Sequence, residues 1–152
     1  MSELGELTFL VTGANTGIGR ATAEELARRR GRVYVASRSA SKGHAAVGAI
    51  RAATGNESVF FLALDLADLE SVRACAAAFL ARGEPLHVLI NNAGVGGAHG
   101  LTRQGFEMTF GVNHLGHFAL TRLLLERLTG SAPSRIVNVS SDAHYNARGI
   151  DF

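Results

Sequence analysis

The chain has 152 residues, 47% of them apolar and 18% charged, which is enough for one domain with a substantial core. Its formal charge of +2 is too small to indicate a nucleic-acid partner. No apolar run approaches the roughly 20 residues that span a bilayer, and the first residues do not form a signal-peptide pattern. We therefore expect a single domain over residues 1–152, without a membrane span and located in the cytoplasm.

The first predicted unit is a strand, a glycine turn and a helix. Leu7 to Val11 is short and apolar, as in a buried strand, and a helical pattern begins at Arg20. Between them, T-G-A-N-T-G-I-G (12–19) holds three glycines, which would let the backbone approach a ligand closely. Unpaired N–H groups at the start of the helix would suit a pyrophosphate. The alternative is an ordinary Gly-rich turn between a strand and a helix.

The alternation of strands and helices continues to the end of the chain. The predicted elements are strand Arg32–Ser37, a helix from Ser39 or Ser41 to Thr54, strand Ser58–Leu64, helix Leu69–Arg82, strand His87–Asn91, a glycine-rich loop from Gly94 to Gly105, a long helix Phe106–Leu128 and strand Arg135–Val139. This order is typical of an α/β fold with a doubly wound parallel sheet and right-handed crossovers. Ligands of such sheets bind at the carboxyl ends of the strands.

Three groups of charged or reactive residues do not indicate a site. Four arginines between positions 28 and 32 fall at the predicted end of the first helix, where cations complement the helix dipole. Cys75 is the single cysteine and lies in an Ala-rich run, so we expect a small buried helix residue. His114 and His117 lie three residues apart, but no third ligand accompanies them, so no metal site is predicted.

Polar or glycine residues follow every predicted strand, as expected if a ligand binds at this edge of the sheet. They are Thr12-Gly13, Ser37-Arg38, Asp65, Asn91-Asn92-Ala93-Gly94 and Ser140-Ser141. Together with the glycine turn, these residues predict a dinucleotide site.

The residue after the second strand contacts the adenosine ribose in such sites, and it distinguishes the two nicotinamide coenzymes. An acidic residue there favours NAD, whereas an arginine binds the 2′-phosphate of NADP. Arg38 occupies this position and Lys42 lies four residues further on, so the sequence favours NADP(H). Asp65 could accept a hydrogen bond from the adenine amino group, or it could cap the turn that follows it.

The turn after the fourth strand carries two asparagines and two small residues. Asn91 and Asn92 are expected to hold this turn through bonds from side chain to backbone, while Ala93 and Gly94 leave room for a coenzyme. A structural role and a ligand contact are compatible at these positions.

Five ordered motifs resemble the short-chain dehydrogenase/reductase family over essentially the whole chain. They are T-G-A-N-T-G-I-G (12–19), D-L (65–66), N-N-A-G (91–94), G-V-N-H-L-G-H-F (111–118) and R-I-V-N-V-S-S (135–141). The segment from Gly105 to Ser141 is most similar to the retinol-dehydrogenase branch. The resemblance implies a Rossmann-type sheet, an NAD(P)(H) coenzyme and an alcohol or carbonyl substrate, which the branch suggests is lipophilic and retinoid-like.

The resemblance also implies roles for particular residues. Asn113 matches an asparagine that holds a water molecule, and Ser141 matches a serine that steadies the substrate oxyanion. Without the resemblance, Asn113 could simply bond to backbone and the serine pair could cap a loop. The expected coenzyme-binding residues are Gly13, Asn15, Thr16, Gly17, Ile18, Gly19, Arg38, Lys42, Asp65, Leu66, Asn91, Ala93 and Gly94.

One family motif is absent from the 152 residues. The family's catalytic Tyr and Lys are spaced Y-x-x-x-K, but Tyr145 is followed four residues later by Gly149. We therefore expect the first five strands of a domain whose C-terminal part is missing, with strand five and one face of the long helix exposed. This fragment is expected to be inactive alone.

Two further expectations concern partners and alternatives. The apolar run Leu120–Leu128 suggests a homo-oligomer that pairs through the long helix. A non-catalytic module that binds a nucleotide or a partner protein is the alternative to an oxidoreductase, and the missing motif keeps it open. The retinol dehydrogenases usually carry an N-terminal membrane anchor, and its absence here favours a soluble relative.

Overall fold

The computed structural model describes residues 4–142 and residue 145, and five strands alternate with helices along them. The elements are β1 Thr8–Thr12, α1 Gly17–Arg28, β2 Arg32–Ser37, α2 Ala40–Thr54, β3 Val59–Ala63, α3 Leu69–Leu80, β4 Val88–Asn91, the short α4 Met108–Phe110, a π-helical segment Gly111–Gly116, α5 His117–Gly130 and β5 Arg135–Asn138. The predicted alternation of strands and helices is confirmed.

The five strands form one parallel sheet in the order β3-β2-β1-β4-β5. The chain runs outward from β1 to β3 on one side and then crosses back to β4 and β5 on the other side. The strand order therefore reverses between β1 and β4, and this is where ligands bind in sheets of this type.

Helices cover both faces of the sheet because successive residues of a strand point to opposite faces. In β1, Phe9 and Val11 pack with the buried residues of α1 and α2, whereas Leu10 packs with those of α3 and α5. Cys75 of α3 belongs to the core on the same face as Leu10 and is 2% exposed, so it is a small buried helix residue, as predicted. Burial raises the pKa of its thiol to about 12.

The caps of the helices largely follow the sequence signals. Ser39 starts α2, with its Oγ accepting a hydrogen bond from the Lys42 N–H, and Asp68 caps α3 through the Glu70 N–H. Gly55 ends α2 in the left-handed region, at φ +66°. Two of the arginines near the end of α1, Arg28 and Arg29, pair with carboxylates on their own helix, which is a structural role.

The predicted long helix Phe106–Leu128 differs from the observed one in its start, its end and its winding. Helical residues begin at Met108, because the Glu107 carboxylate accepts hydrogen bonds from the Thr109 and Phe110 N–H groups. They continue to Gly130. Residues 111–116 widen into π-helical turns, which are rare and are often found at functional sites.

Strand β5 lies at the edge of the sheet and is exposed along its whole length. The side chain of Ile136 is 41% exposed, and Phe118 on the neighbouring helix is 58% exposed. This agrees with the predicted exposure of strand five and of one helix face. No helix of the described residues is long and apolar enough to cross a bilayer.

Candidate active site

Two cavities lie at the carboxyl ends of the strands and share the turn after β4. The β2–β3 cavity has a volume of about 530 Å³, and the predicted residues that line it are Gly13, Asn15, Arg38, Lys42, Asp65, Leu66, Ala93 and Gly94. The β4–β5 cavity has a volume of about 880 Å³ and is lined by predicted residues Asn91, Asn113 and Ser141. Residues 93–95 line both cavities, so one elongated molecule could reach from the first to the second across this turn.

Four of the predicted coenzyme-binding residues lie outside both linings. Thr16, Gly17, Ile18 and Gly19 form the start of α1, next to the β2–β3 cavity residues Gly13 and Asn15 in the chain. The Ile18 side chain is 72% exposed. Any contact from these residues to a ligand would therefore come from the start of the helix rather than from a cavity wall.

Two of the three glycines in the turn are required by packing within the protein. Gly13 has φ +67°, and a Cβ there would lie 2.9 Å from the Cα of Ala93. A Cβ on Gly19 would lie 2.7 Å from the Gly13 carbonyl oxygen. Gly17 differs, because its φ of +55° favours glycine while no atom lies within 4 Å of its Cβ position. Gly13 and Gly19 thus allow the turns after β1 and β4 to pack closely, whereas Gly17 leaves open space at the start of α1.

The start of α1 leaves its first N–H groups available to an anion. Thr16 is the N-cap residue, but its side chain makes no capping hydrogen bond, and the first turn carries no acidic residue. By contrast, Ser39 and Asp68 cap α2 and α3 with their side chains. A helix start of this kind favours a phosphate group through its N–H donors and its dipole.

Arg38 and Lys42 provide positive charge at the β2–β3 cavity. Both side chains are exposed, and neither forms an ion pair with another described residue. Two arginines elsewhere in the chain are neutralised by carboxylates: Arg32 pairs with Glu84 and Arg103 with Asp68. Two cations without an ion-pair partner at this cavity fit a phosphorylated ribose.

Asp65 adopts the turn-capping role that the sequence left open. Its Oδ1 accepts a hydrogen bond of 2.9 Å from the Ala67 N–H, and its own N–H donates to Ser71 Oγ at 2.9 Å. The carboxylate nevertheless lines the β2–β3 cavity. Contact with an adenine stays a prediction.

The two asparagines at the end of β4, Asn91 in the strand and Asn92 directly after it, have different partners, which corrects part of the prediction. Asn92 holds the turn as expected, since its Nδ2 donates to the Thr12 carbonyl oxygen at 2.8 Å. The Asn91 Nδ2 donates instead to side chains, Asn138 Oδ1 at 2.8 Å and Thr121 Oγ1 at 3.2 Å. Asn91 points this way because β4 is flanked by β5 and α5, so its amide links these two elements.

Thr12 joins the ends of β1 and β4 through its hydroxyl, a role that sequence reasoning missed. The Oγ1 atom accepts hydrogen bonds of 2.9 Å from the N–H groups of Asn92 and Ala93. It also lies 2.9 Å from Nε2 of His117 in α5. The only sequence signal for this role is a threonine at the end of a buried strand, which does not identify partners about 80 and 105 residues away.

Asn113 lies in the π-helical segment and fixes the chain beside the shared turn. Its Oδ1 accepts a hydrogen bond from the Val95 N–H at 2.8 Å, and its Nδ2 donates to the Val95 carbonyl oxygen at 2.9 Å. The side chain thus bonds to backbone, which was the alternative without the family resemblance. Its main-chain carbonyl lies 3.1 Å from Nδ1 of His117.

Glycines at both ends of the π-helical segment allow its close packing. A Cβ on Gly116 would lie 2.6 Å from the carbonyl oxygen of Leu66, and a Cβ on Gly111 would clash with the side chain of Thr102. The segment therefore lies against the turn after β3, and Asn113 is held at the border of the two cavities.

Ser141 is exposed and lines the β4–β5 cavity together with Asn113. Its Oγ donates a 3.3 Å hydrogen bond to Asp142 Oδ1. The structure thus brings the two predicted catalytic residues to one cavity.

His114 and His117 both line the β4–β5 cavity but differ in burial. The His117 ring is buried against Thr12, whereas the exposed His114 ring stacks between Phe110 and Phe118. No group of three or more metal-ligating side chains occurs within residues 4–142 or at residue 145.

Comparison with known proteins agrees with this arrangement. The short chain dehydrogenase family matches residues 7–149. Retinol dehydrogenase 11 of Mus musculus is 59% identical over 140 residues, which cover 91% of this chain and 44% of that protein. The chain thus spans less than half the length of this relative.

Solved structures with bound nicotinamide coenzymes share the fold. A metagenomic short-chain oxidoreductase in complex with NADP has a TM-score of 0.79 and 31% identity, covering 92% of this chain and 64% of its own. A short chain dehydrogenase/reductase from Burkholderia phymatum in complex with NAD also has a TM-score of 0.79, with 32% identity over 94% of this chain and 52% of its own. The predicted doubly wound α/β fold and the resemblance to the retinol-dehydrogenase branch are confirmed, and the chain belongs to the short chain dehydrogenase family.

Proposed function

We propose that this chain binds NADP(H) and forms the coenzyme half of an oxidoreductase that interconverts an alcohol and a carbonyl compound. The observation that carries the proposal is the pair of unpaired cations, Arg38 and Lys42, at the cavity beside the uncapped start of α1. The N–H groups at this helix start would bind the pyrophosphate, and Arg38 would bind the 2′-phosphate. Relatives of known structure bind either coenzyme, so the choice of NADP rests on these side chains.

The β4–β5 cavity is the proposed position of the reacting groups. When bound, the coenzyme supplies a hydride acceptor or donor, the nicotinamide ring. Ser141 would donate a hydrogen bond to the substrate oxygen, and Asn113 would keep Val95 and the shared turn in place beside it. Phe118 and Ile136 line the same cavity with apolar surface, which supports a lipophilic substrate such as the retinoid suggested by the relatives' names.

The 152 residues alone are proposed to bind coenzyme without turnover. A short-chain dehydrogenase needs an acid–base group near the substrate oxygen, and the sequence contains no Y-x-x-x-K. Purified chain should therefore not oxidise NADPH with an aldehyde, whereas a chain extended through downstream coding sequence should. Steady NADPH oxidation by the 152 residues, free of other reductases, would contradict this.

A fluorescence titration with NADPH and NADH tests the coenzyme assignment. Arg38→Ala should weaken NADPH binding by about tenfold to hundredfold, because a charge-assisted hydrogen bond to phosphate contributes roughly 1.5–3 kcal/mol. NADH binding should change by less than about threefold. Arg73→Ala is the matched control, since Arg73 is an exposed arginine of α3 that lines neither cavity. An NADPH preference that survives Arg38→Ala would refute the phosphate assignment.

A further inference from the structure

The buried ring of His117 connects the ends of β1 and β4 to the π-helical segment. Its Nε2 lies 2.9 Å from Thr12 Oγ1, and its Nδ1 lies 3.1 Å from the main-chain oxygen of Asn113. His117 is 6% exposed. Both ring nitrogens therefore have a partner inside the protein, on two different segments.

The partners determine the position of the ring proton. The Asn113 carbonyl can only accept, so Nδ1 of His117 must carry the hydrogen. In the neutral ring Nε2 is then an acceptor. The Thr12 hydroxyl has two acceptors within reach, Nε2 at 2.9 Å and the Ile90 carbonyl oxygen at 3.4 Å, and its single hydrogen goes to the nearer Nε2. Both lone pairs of that hydroxyl are already used by the N–H groups of Asn92 and Ala93. Every donor and acceptor in this set is satisfied in one arrangement, with neutral His117 protonated on Nδ1.

We propose that His117 is a positioning residue: its neutral Nδ1–H ring clamps the Asn113 carbonyl to the Thr12 hydroxyl and so fixes the turn that both cavities share. Ala93 lies at the end of this chain of hydrogen bonds and lines both cavities. This inference rests on the proposed function, because the turn is where the coenzyme would cross from one cavity to the other.

The surroundings of the ring favour its neutral form. No Asp, Glu, Lys or Arg lines the β4–β5 cavity among the described residues, and His114 is its only other titratable side chain. The two groups that His117 contacts are uncharged, the Thr12 hydroxyl from β1 and the Asn113 carbonyl from the helix. The polar side chains that line the cavity with it, among them Asn91, Thr121 and Asn138, are uncharged as well. Burial lowers the pKa of His117, while the bond to Asn113 opposes this shift.

Protonation would break the arrangement at one defined atom. With hydrogen on Nε2, the Thr12 hydroxyl would turn its own hydrogen to the Ile90 carbonyl oxygen, 3.4 Å away. Its oxygen would then have to accept from His117 as well as from two backbone N–H groups. An oxygen with two lone pairs cannot satisfy three donors at full strength. One N–H of the shared turn would lose its partner, and the turn would loosen as the pH falls.

Two conservative variants separate the two bonds. In His117→Asn the amide nitrogen stands near the Nδ1 position and can still donate to Asn113, but it cannot reach Thr12. In His117→Gln the amide oxygen stands near the Nε2 position and can still accept from Thr12, but the donor to Asn113 is lost. His44→Gln is the control, since His44 lies in α2, packs on Phe61 of β3 and lines neither cavity.

Three measurements on the 152-residue chain test the proposal. A long-range ¹H–¹⁵N spectrum should show His117 with a protonated Nδ1 and an unprotonated Nε2 at pH 7. NADPH affinity should fall about fivefold or more in each variant. The wild-type affinity should also fall more steeply than the variants' affinities below pH 6.5, a difference that a merely structural residue would not produce.

The role of His117 and the proposed coenzyme binding can be refuted separately. An Nε2–H tautomer, ordinary titration of His117 near pH 6.5, or variants that bind NADPH with the wild-type affinity and pH profile would overturn the clamp. If neither wild type nor variants bind NADPH, the proposed function fails. The tautomer and the pH dependence of unfolding of wild type against the two variants would then still decide whether the clamp exists.

Discussion

A Cβ atom on Gly13 would lie 2.9 Å from the Cα of Ala93, so the turns after β1 and β4 touch backbone to backbone. This contact occurs where the strand order reverses, at the border of both cavities. The same glycine has φ +67°, which penalises any side chain independently of the contact. Two constraints on one residue therefore fix the geometry of the proposed coenzyme site.

Gly13→Ala should destabilise the fold and weaken coenzyme binding together. The positive φ alone costs roughly 1–2 kcal/mol for a residue with a Cβ, and the clash with Ala93 adds to it. Chemical denaturation measures the loss. Gly48→Ala is the matched control, because Gly48 lies in α2 with no atom near its Cβ position, and it should gain up to about 1 kcal/mol. A Gly13→Ala chain as stable as wild type would contradict the contact.

Thr12→Val removes one hydroxyl while keeping the size of the side chain. The Asn92 and Ala93 N–H groups and the His117 ring would each lose a partner. We expect the free energy of unfolding to fall by about 2–5 kcal/mol, since an unsatisfied buried group costs roughly 1–3 kcal/mol. Thr8→Val, at a buried position of the same strand, should cost much less. Equal losses in the two variants would count against the hydroxyl network.

Asp68 should contribute stability that disappears in acid. Hydrogen bonds from Arg103, Gln104 and the Glu70 N–H lower the pKa of its carboxyl to about 2 from an ordinary value of 3.8. Because the unfolded chain takes up the proton first, this contribution is present above pH 3.8 and is lost as the pH falls through about 2. Asp68→Asn keeps the cap oxygen but not the charge. The difference in unfolding free energy between wild type and Asp68→Asn should therefore shrink over that range, and a difference independent of pH would contradict the pairing.

Arg38→Asp should reverse the coenzyme preference rather than only weaken it. A carboxylate at the end of β2 repels the 2′-phosphate of NADPH and can accept a hydrogen bond from the ribose 2′-hydroxyl of NADH. We expect the ratio of NADPH to NADH affinity to fall by about a hundredfold or more, measured by fluorescence titration. Arg73→Asp makes the same charge change on α3 and should leave the ratio unchanged. An unchanged ratio in Arg38→Asp would place the phosphate elsewhere.

The fold could be predicted because its signals are local. Short apolar runs alternate with amphipathic ones, and cap residues such as Ser39, Gly55 and Asp68 mark helix boundaries within a few positions. The positions after the strands were predictable for the same reason, since parallel strands bring their carboxyl ends to one edge. Eight predicted residues do line the β2–β3 cavity.

The hydrogen-bond partners could not be predicted, because they join distant parts of the chain. Thr12 and His117 are 105 residues apart, and Asn91 and Asn138 are 47 apart. Nothing in the local pattern around His117 separates it from the exposed His114 three residues earlier. The π-helical segment was missed because its cause is also tertiary: Gly111 and Gly116 pack against Thr102 and Leu66.

An NMR titration of the ¹⁵N-labelled chain with NADPH tests the coenzyme site most directly. The account predicts saturable shifts of the backbone amide signals of Gly13, Gly17, Arg38 and Ala93. The amide signals of α3 should change little. Shifts confined to other surfaces, or no saturable shift at millimolar NADPH, would contradict it.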